Sequence, residues 1–108
     1  MHDALKRRCL YHWIDYPSEE REVEIIRLRA PGADEQLARS VARAVAWLRG
    51  LGLVKPPGAA EAIDWASALA VLGEVGVRGE SARATLGFAV KNREDLETAA
   101  ARLGELSA

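Results

Sequence analysis

Hydrophobic residues recur at three- and four-residue spacing along most of the chain, which predicts amphipathic α-helices. The clearest repeat follows Asp34, a good N-cap residue, and ends at Gly50. Arg39 and Arg43 occupy the opposite side of this helix. Its apolar positions are Leu37, Val41, Ala44, Val45 and Leu48. This segment is the most strongly predicted helix of the chain.

Weaker repeats predict helices on either side of that segment. One begins at Pro17 and Ser18, where the following glutamates suit the positive end of a helix dipole, and it ends at the Pro-Gly pair at 31–32. Another covers residues 59–72, with Trp65 as its large anchor. A short helix capped by Ser81 should run to position 90. These elements predict a small helical bundle.

The C-terminal segment is expected to form one last helix. Asn92 and Asp95 resemble a capping box at its start, although aspartate is a poorer partner than glutamate in that motif. Its apolar stripe comprises Leu96, Ala99, Ala100, Leu103 and Leu106. Because many apolar residues of the chain are alanines, we expect Trp47, Trp65, Phe88 and the leucines to supply most of the core.

Residues 9–16, with the sequence CLYHWIDY, form the one dense cluster of strand-forming residues. The preceding residues 3–8 are typical of the last turns of a helix. A lone strand cannot satisfy its own backbone hydrogen bonds, and no second segment of similar strand propensity follows. The predicted fold class is therefore all-α, a small helical bundle with one short N-terminal β-strand segment that needs a partner.

Composition restricts the classes of function. The 108 residues are 49% hydrophobic and 29% charged, as in a globular protein, and the net charge of −1 provides no general attraction to nucleic acid. The single cysteine excludes an internal disulfide and favours a cytoplasmic setting. The longest uncharged run, residues 65–73, is far shorter than the roughly 20 apolar residues of a membrane span. We expect a cytoplasmic protein without a membrane span and without nucleic acid as a partner.

Few residue clusters offer chemistry of their own. The phosphate-binding pattern GxxxxGK[ST] does not occur, so the chain is not a complete P-loop ATPase. The metal-type side chains His2, Cys9, His12 and Asp15 lack a second pair at comparable spacing, and we expect no metal site. Cys9 and His12 would point to opposite faces of a strand, which argues against a nucleophile and its base.

Charged groups outside that cluster leave two interpretations open. The run Lys6, Arg7 and Arg8 is either a phosphate-binding patch or a solvated helix C-terminus. Glu61 and Asp64 either share an acid–base task or simply favour the positive end of their helix. In both cases the local sequence favours the structural role.

Several sequence blocks resemble the C-terminal part of MoxR-type AAA+ ATPases, especially the branch linked to carbon-monoxide-dehydrogenase maturation. The blocks are DALKRRCLYHWIDYP at 3–17, PGADE at 31–35, RGLGL at 49–53, KPPG at 55–58 with Glu61, Asp64 and Trp65 after it, ATLG at 84–87 and KNRED at 91–95. The resemblance implies that residues 1–17 are the C-terminal remnant of the ATPase core and residues 18–108 its helical lid. It also accounts for the missing phosphate loop and the unpaired strand.

The resemblance further implies roles for four residues. Arg8, with Arg7 as the alternative, occupies the position of the arginine finger, which reaches the phosphate bound by a neighbouring subunit. The sensor-2 region at the start of the third lid helix holds Lys55 and Glu61, where the family usually has an arginine. Because a lysine is a point charge rather than a planar fork, this departure weakens the correspondence.

The expected function is therefore that of a lid that couples ATP binding and hydrolysis to chaperone-like remodelling or metalloenzyme maturation. ATP and Mg²⁺ would be the cofactors of the full-length parent, and the chain alone would have no catalytic activity and no cofactor. Expected partners are the AAA+ core of the same protein, neighbouring ring subunits and a von Willebrand factor A-type protein. The alternative is a stand-alone helical interaction module that forms homodimers through strand 9–16 or binds a partner's sheet edge.

Overall fold

The computed structural model describes residues 16–107, and within that range all regular structure is helical. The six helices are α1 (Glu19–Arg29), α2 (Glu35–Arg49), α3 (Ala59–Val71), α4 (Gly79–Ala89), α5 (Arg93–Arg102) and α6 (Gly104–Ser107). The helical part of the predicted fold class is thus confirmed for this range. The predicted strand 9–16 lies outside it, apart from Tyr16. Between residues 16 and 107, no helix has both the length and the apolar character needed to cross a bilayer.

The first three helices pack against one another, and the remaining helices extend the bundle from α3. Helix α4 lies along α3, α5 contacts α4, and α6 contacts α5. Trp65 of α3 is fully buried, and its indole N–H donates to the hydroxyl of Thr85 on α4 at 2.7 Å. The largest apolar side chains buried with it are Ile26, Leu37, Leu48, Leu69 and Leu86. One contiguous core therefore joins the helices.

Three helices begin where the sequence predicts caps. The side chains of Ser18, Asp34 and Asn92 each accept the backbone N–H three positions later, at 3.1, 2.9 and 3.0 Å. Each of these bonds satisfies a backbone donor that has no partner inside the helix. Helix α2 then buries the whole predicted stripe from Leu37 to Leu48. Local sequence therefore determines these helix starts.

The predicted cap at Ser81 is wrong, because α4 begins two residues earlier. Gly79 has a φ of +65°, a conformation that glycine adopts without strain, and the chain turns into the helix there. Arg78 occupies the N-cap position without a side-chain bond. The Ser81 hydroxyl instead donates to the carboxylate of Glu74 at 2.6 Å.

The predicted single C-terminal helix is interrupted at Leu103. Helix α5 ends at Arg102 and the short α6 starts at Gly104, a residue of low helix propensity. The interruption leaves Leu103 buried and Leu106 packed against the core. The indole N–H of Trp47 on α2 then donates to the Glu105 carboxylate at 3.4 Å. The break therefore brings Glu105 of α6 into contact with Trp47 of α2.

Phe88 is not a core residue, contrary to the prediction. Leu86 and Ala89 take the core-facing positions of α4, so Phe88 faces away and is 47% exposed. It lies beside exposed Val71 and Leu72 at the end of α3. We call the apolar surface formed by Ala68, Val71, Leu72 and Phe88 the α3–α4 face.

Candidate functional site

The candidate site is the 50–58 loop, which joins α2 to α3 and contains Lys55. Gly52 has a φ of +75°, which suits glycine, and it reverses the chain after α2. Leu53 is buried in the core and Pro57 is also buried, whereas the side chain of Lys55 is exposed. The loop is thus fixed on both sides of its exposed lysine.

Asp95, on the first turn of α5, holds the middle of this loop. Its two carboxylate oxygens accept the backbone N–H groups of Val54 and Lys55 at 2.8 and 2.7 Å. Only 3% of Asp95 is exposed. A buried carboxylate that accepts two backbone donors makes strong, charge-assisted hydrogen bonds. Asp95 therefore fixes the position and direction of the backbone at Lys55.

Arg49, the last residue of α2, holds the end of the loop. Its Nε donates to the carbonyl oxygen of Pro57 at 2.8 Å. Its two terminal nitrogens donate to the two carboxylate oxygens of Glu22 on α1, both at 2.7 Å. The guanidinium also lies over the Tyr16 ring, with Cζ 3.9 Å from the ring centroid. The Arg49 side chain thus ties together α1, the loop and Tyr16, which lies three residues before α1.

Glu61 completes the support of the loop. Its carboxylate accepts the backbone N–H of Gly58, the N-cap residue of α3, at 2.8 Å. This bond is half of a capping box, since glycine has no side chain to return the contact. Among residues 16–107, every buried side-chain nitrogen or oxygen has a hydrogen-bond partner. The polar groups under the loop are therefore satisfied by the protein itself.

Lys55 is the one cation of this loop, and the described contacts engage its backbone rather than its side chain. A primary ammonium on a rigid loop near a helix start can attract a phosphate or a carboxylate. The loop supplies no nucleophile or paired general acid and base. The loop therefore offers a ligand one exposed positive charge.

The sequence-predicted site residues fall into two groups. Lys55 and Glu61 lie on the same loop and helix start, with Lys55 exposed and Glu61 used as a cap. Arg7 and Arg8, together with His2, Cys9, His12 and Asp15, lie outside the described residues. The finger assignment thus stays a prediction.

The described residues bear on two alternative chemistries, an acid–base pair and a metal site. Glu61 caps α3 while Asp64 is exposed, so the structural interpretation of this acidic pair fits the contacts. Within residues 16–107, no three histidine, cysteine, aspartate or glutamate side chains form a group that could hold a metal ion.

Sequence reasoning missed Asp95, Glu22 and Arg49 as the residues that support the loop. The sequence did contain a signal for Glu22 and Arg49, because each of these charged residues falls on the apolar face of its helix. Glu22 precedes Ile26 by four positions, and Arg49 follows Val45 by four. Opposite charges placed this way on neighbouring helices are typical of a buried ion pair. Asp95 gave no comparable signal, since its partners are 40 and 41 positions away.

The geometry defines a rigid loop with an exposed cation on a helical bundle. Many binding loops are held in this way by a folded scaffold. Comparisons of this chain with family models, curated proteins and solved structures gave no match.

Proposed function

We propose that this chain is the lid of a MoxR-like AAA+ ATPase, which couples ATP binding and hydrolysis to the remodelling or maturation of another protein. In this proposal residues 18–108 are the lid and residues 1–17 are the end of the ATPase core. The chain has no hydrolytic activity of its own and acts in the cytoplasm. Its partners are the rest of the ATPase, neighbouring ring subunits and a von Willebrand factor A-type protein.

The observation that supports this proposal most is the construction of the 50–58 loop. The resemblance puts a nucleotide-sensing cation at the start of the third lid helix, and α3 is the third described helix. Lys55 precedes α3 by four residues on a backbone held by Asp95 and Arg49. A cation that detects a bound phosphate needs a fixed backbone, because loose positioning would reduce its selectivity.

The described residues fit one edge of an ATP site and not a complete one. Lys55 supplies a single exposed cation, and the sequence has no phosphate-binding loop. Lys55 would therefore meet a phosphate that another domain holds, together with its Mg²⁺. Glu61 acts in this site by shaping the loop, since its carboxylate caps Gly58.

Arg8 is the proposed catalytic residue, with Arg7 as the alternative. A guanidinium that reaches the phosphate of the neighbouring subunit stabilises the charge that develops during phosphoryl transfer. Such fingers contribute about 10³–10⁵ to the rate. The Arg8 finger would therefore dominate any effect of Lys55 on turnover.

The test is ATP turnover by the full-length ATPase that carries this chain. Arg8→Ala should abolish hydrolysis while ATP binding persists, and Lys6→Ala is the matched control in the same basic run. Lys55→Ala should weaken ATP binding, whereas Arg83→Ala, an exposed cation on α4, should not. Unchanged turnover in Arg8→Ala and Arg7→Ala would refute the finger assignment.

A second candidate function is a stand-alone helical interaction module. The exposed α3–α4 face favours it, because Val71 is 86% exposed and Phe88 47% exposed on one surface. In that case the chain binds another protein without ATP. The reading frame upstream of the Met1 codon separates the two functions, because the lid requires an ATPase core and the stand-alone module does not.

A further inference from the structure

Helix α3 has apolar residues on more sides than the bundle covers. Residues 65–73 contain no charged side chain, and Trp65, Ala66 and Leu69 of this run are fully buried. The same helix exposes Val71 and Leu72, by 86% and 55%. A helix that is apolar nearly all round is normally buried nearly all round. The exposed side of α3 therefore has the apolar character that is typical of an interaction surface.

The neighbouring helix extends this surface into a groove. Phe88 of α4 stands beside Val71 and Leu72, and the groove between the two helices has a volume of about 680 Å³. Three of the seven large hydrophobic residues that are exposed between residues 16 and 107 line it. The other four, Tyr16, Leu28, Val54 and Val75, do not line it. The α3–α4 face thus brings three exposed apolar side chains together on one surface.

The charges on this groove are of both signs. Asp64 and Lys91 line it, and neither forms an ion pair with another residue in the described range. The Lys91 ammonium lies 5.9 Å from the centroid of the Phe88 ring, so its charge sits at the edge of the apolar surface. A partner with charge of one sign would attract one of these groups and repel the other.

A second copy of the chain complements both charges at once. In a two-fold pairing the same patch serves on both molecules, so Asp64 of each copy can meet Lys91 of the other. The apolar residues of the face are then buried by their own equivalents. We propose that the α3–α4 face is an isologous dimer interface, with Asp64 and Lys91 as its reciprocal ion pairs. This proposal does not depend on the ATPase proposal.

The test is sedimentation equilibrium of the full chain from about 1 μM to 1 mM, with charge-reversed variants. The wild type should show a reversible monomer–dimer equilibrium. Asp64→Lys and Lys91→Asp should each weaken it about tenfold or more, because each places like charges opposite each other twice. The double variant Asp64→Lys with Lys91→Asp should restore the dimer, since the reciprocal pairs are re-formed with exchanged signs.

Two further variants separate the interface from the fold. Val71→Glu should abolish the dimer without lowering the thermal stability of the monomer, because this side chain is 86% exposed. Arg83→Asp, an exposed charge change on α4 outside the groove, should leave dimerisation unchanged. A chain that stays monomeric at 1 mM would overturn the proposal and leave the face to a different protein. Dimerisation that Val71→Glu or the single reversals do not weaken, or that the double variant does not restore, would overturn it equally.

Discussion

The carboxylate of Asp95 binds the backbone N–H of Lys55 at 2.7 Å, across 40 positions of sequence. Its other oxygen binds the N–H of Val54 at 2.8 Å. The start of α5 and the loop before α3 are therefore joined by two hydrogen bonds. The position of the Lys55 backbone is set by a helix that follows it much later in the chain.

Asp95→Asn should lower the free energy of unfolding by about 1–3 kcal/mol. An asparagine offers one acceptor oxygen, so either Val54 or Lys55 loses its buried partner. Urea denaturation measures the loss, and amide hydrogen exchange at Val54 and Lys55 should show local opening of the loop. Glu97→Asn, on the exposed side of the same helix, is the control and should change neither quantity. Equal protection of both amides in Asp95→Asn would contradict the anchoring role.

Arg49→Met should be strongly destabilising, by about 3–5 kcal/mol. The change leaves the Glu22 carboxylate buried without its bidentate partner, and the Pro57 carbonyl also loses a donor. The double variant Arg49→Met with Glu22→Leu should recover much of this loss, since an apolar pair of similar volume often replaces a buried ion pair at little cost. Thermal and urea unfolding of the wild type, the two single variants Arg49→Met and Glu22→Leu, and the double variant provide the measurement.

The matched control for that cycle is Arg39→Met on the same helix. Arg39 pairs with Glu35 and Glu20 on the surface, with nearly half of its side chain exposed. Exposed pairs contribute about 0–1 kcal/mol, so this variant should stay close to the wild type. A loss for Arg39→Met as large as that for Arg49→Met would argue against a special role of the buried pair.

Thr85→Val should lower the free energy of unfolding by about 1–3 kcal/mol, although valine is nearly isosteric with threonine. The change removes the acceptor of the Trp65 indole N–H, and Trp65 is fully buried. Trp65→Phe combined with Thr85→Val removes the donor as well, and a double-mutant cycle isolates the bond. A Thr85→Val protein as stable as the wild type would show that the bond contributes nothing.

Glu105 should titrate below the usual range of a glutamate. The hydrogen bond from Arg102 lowers the pKa of Glu105, and the Trp47 indole N–H lowers this pKa further. The associated stability is present above the ordinary glutamate pKa and is lost as the pH falls through the lowered folded-state pKa. The NMR shift of the Trp47 indole proton should report this titration, and Arg102→Gln should raise its midpoint. The Trp65 indole proton, bound to a hydroxyl, should not move over the same pH range.

Helix identity and most helix starts could be predicted because they depend on local sequence. The spacing of Leu37, Val41 and Leu48 indicates the buried side of α2, and Asp34 indicates its beginning. The predictions that failed concern residues whose surroundings are formed by other helices. Phe88 has core-type chemistry, yet its angular position on α4 is set by the packing of Leu86 and Ala89.

The candidate site also contains residues that the sequence could predict and residues that it could not. Lys55 and Glu61 could be selected from the resemblance, and the structure places both on one loop and helix start. The support of that loop could not be predicted, because Asp95 and Glu22 bind groups 27 to 41 positions away. The capping pattern at Asn92 even suggested a different role for Asp95. Its carboxylate instead accepts two backbone N–H groups of the loop. Rules based on neighbouring residues cannot predict this contact.

The proposal that this chain is the lid of an ATPase requires a core that contains the phosphate-binding loop. The DNA sequence immediately upstream of the Met1 codon tests this requirement. The lid proposal predicts a continuous open reading frame that encodes a GxxxxGK[ST] motif after a strand-forming segment. A stop codon and a ribosome-binding site directly upstream would contradict it and favour the stand-alone interaction module.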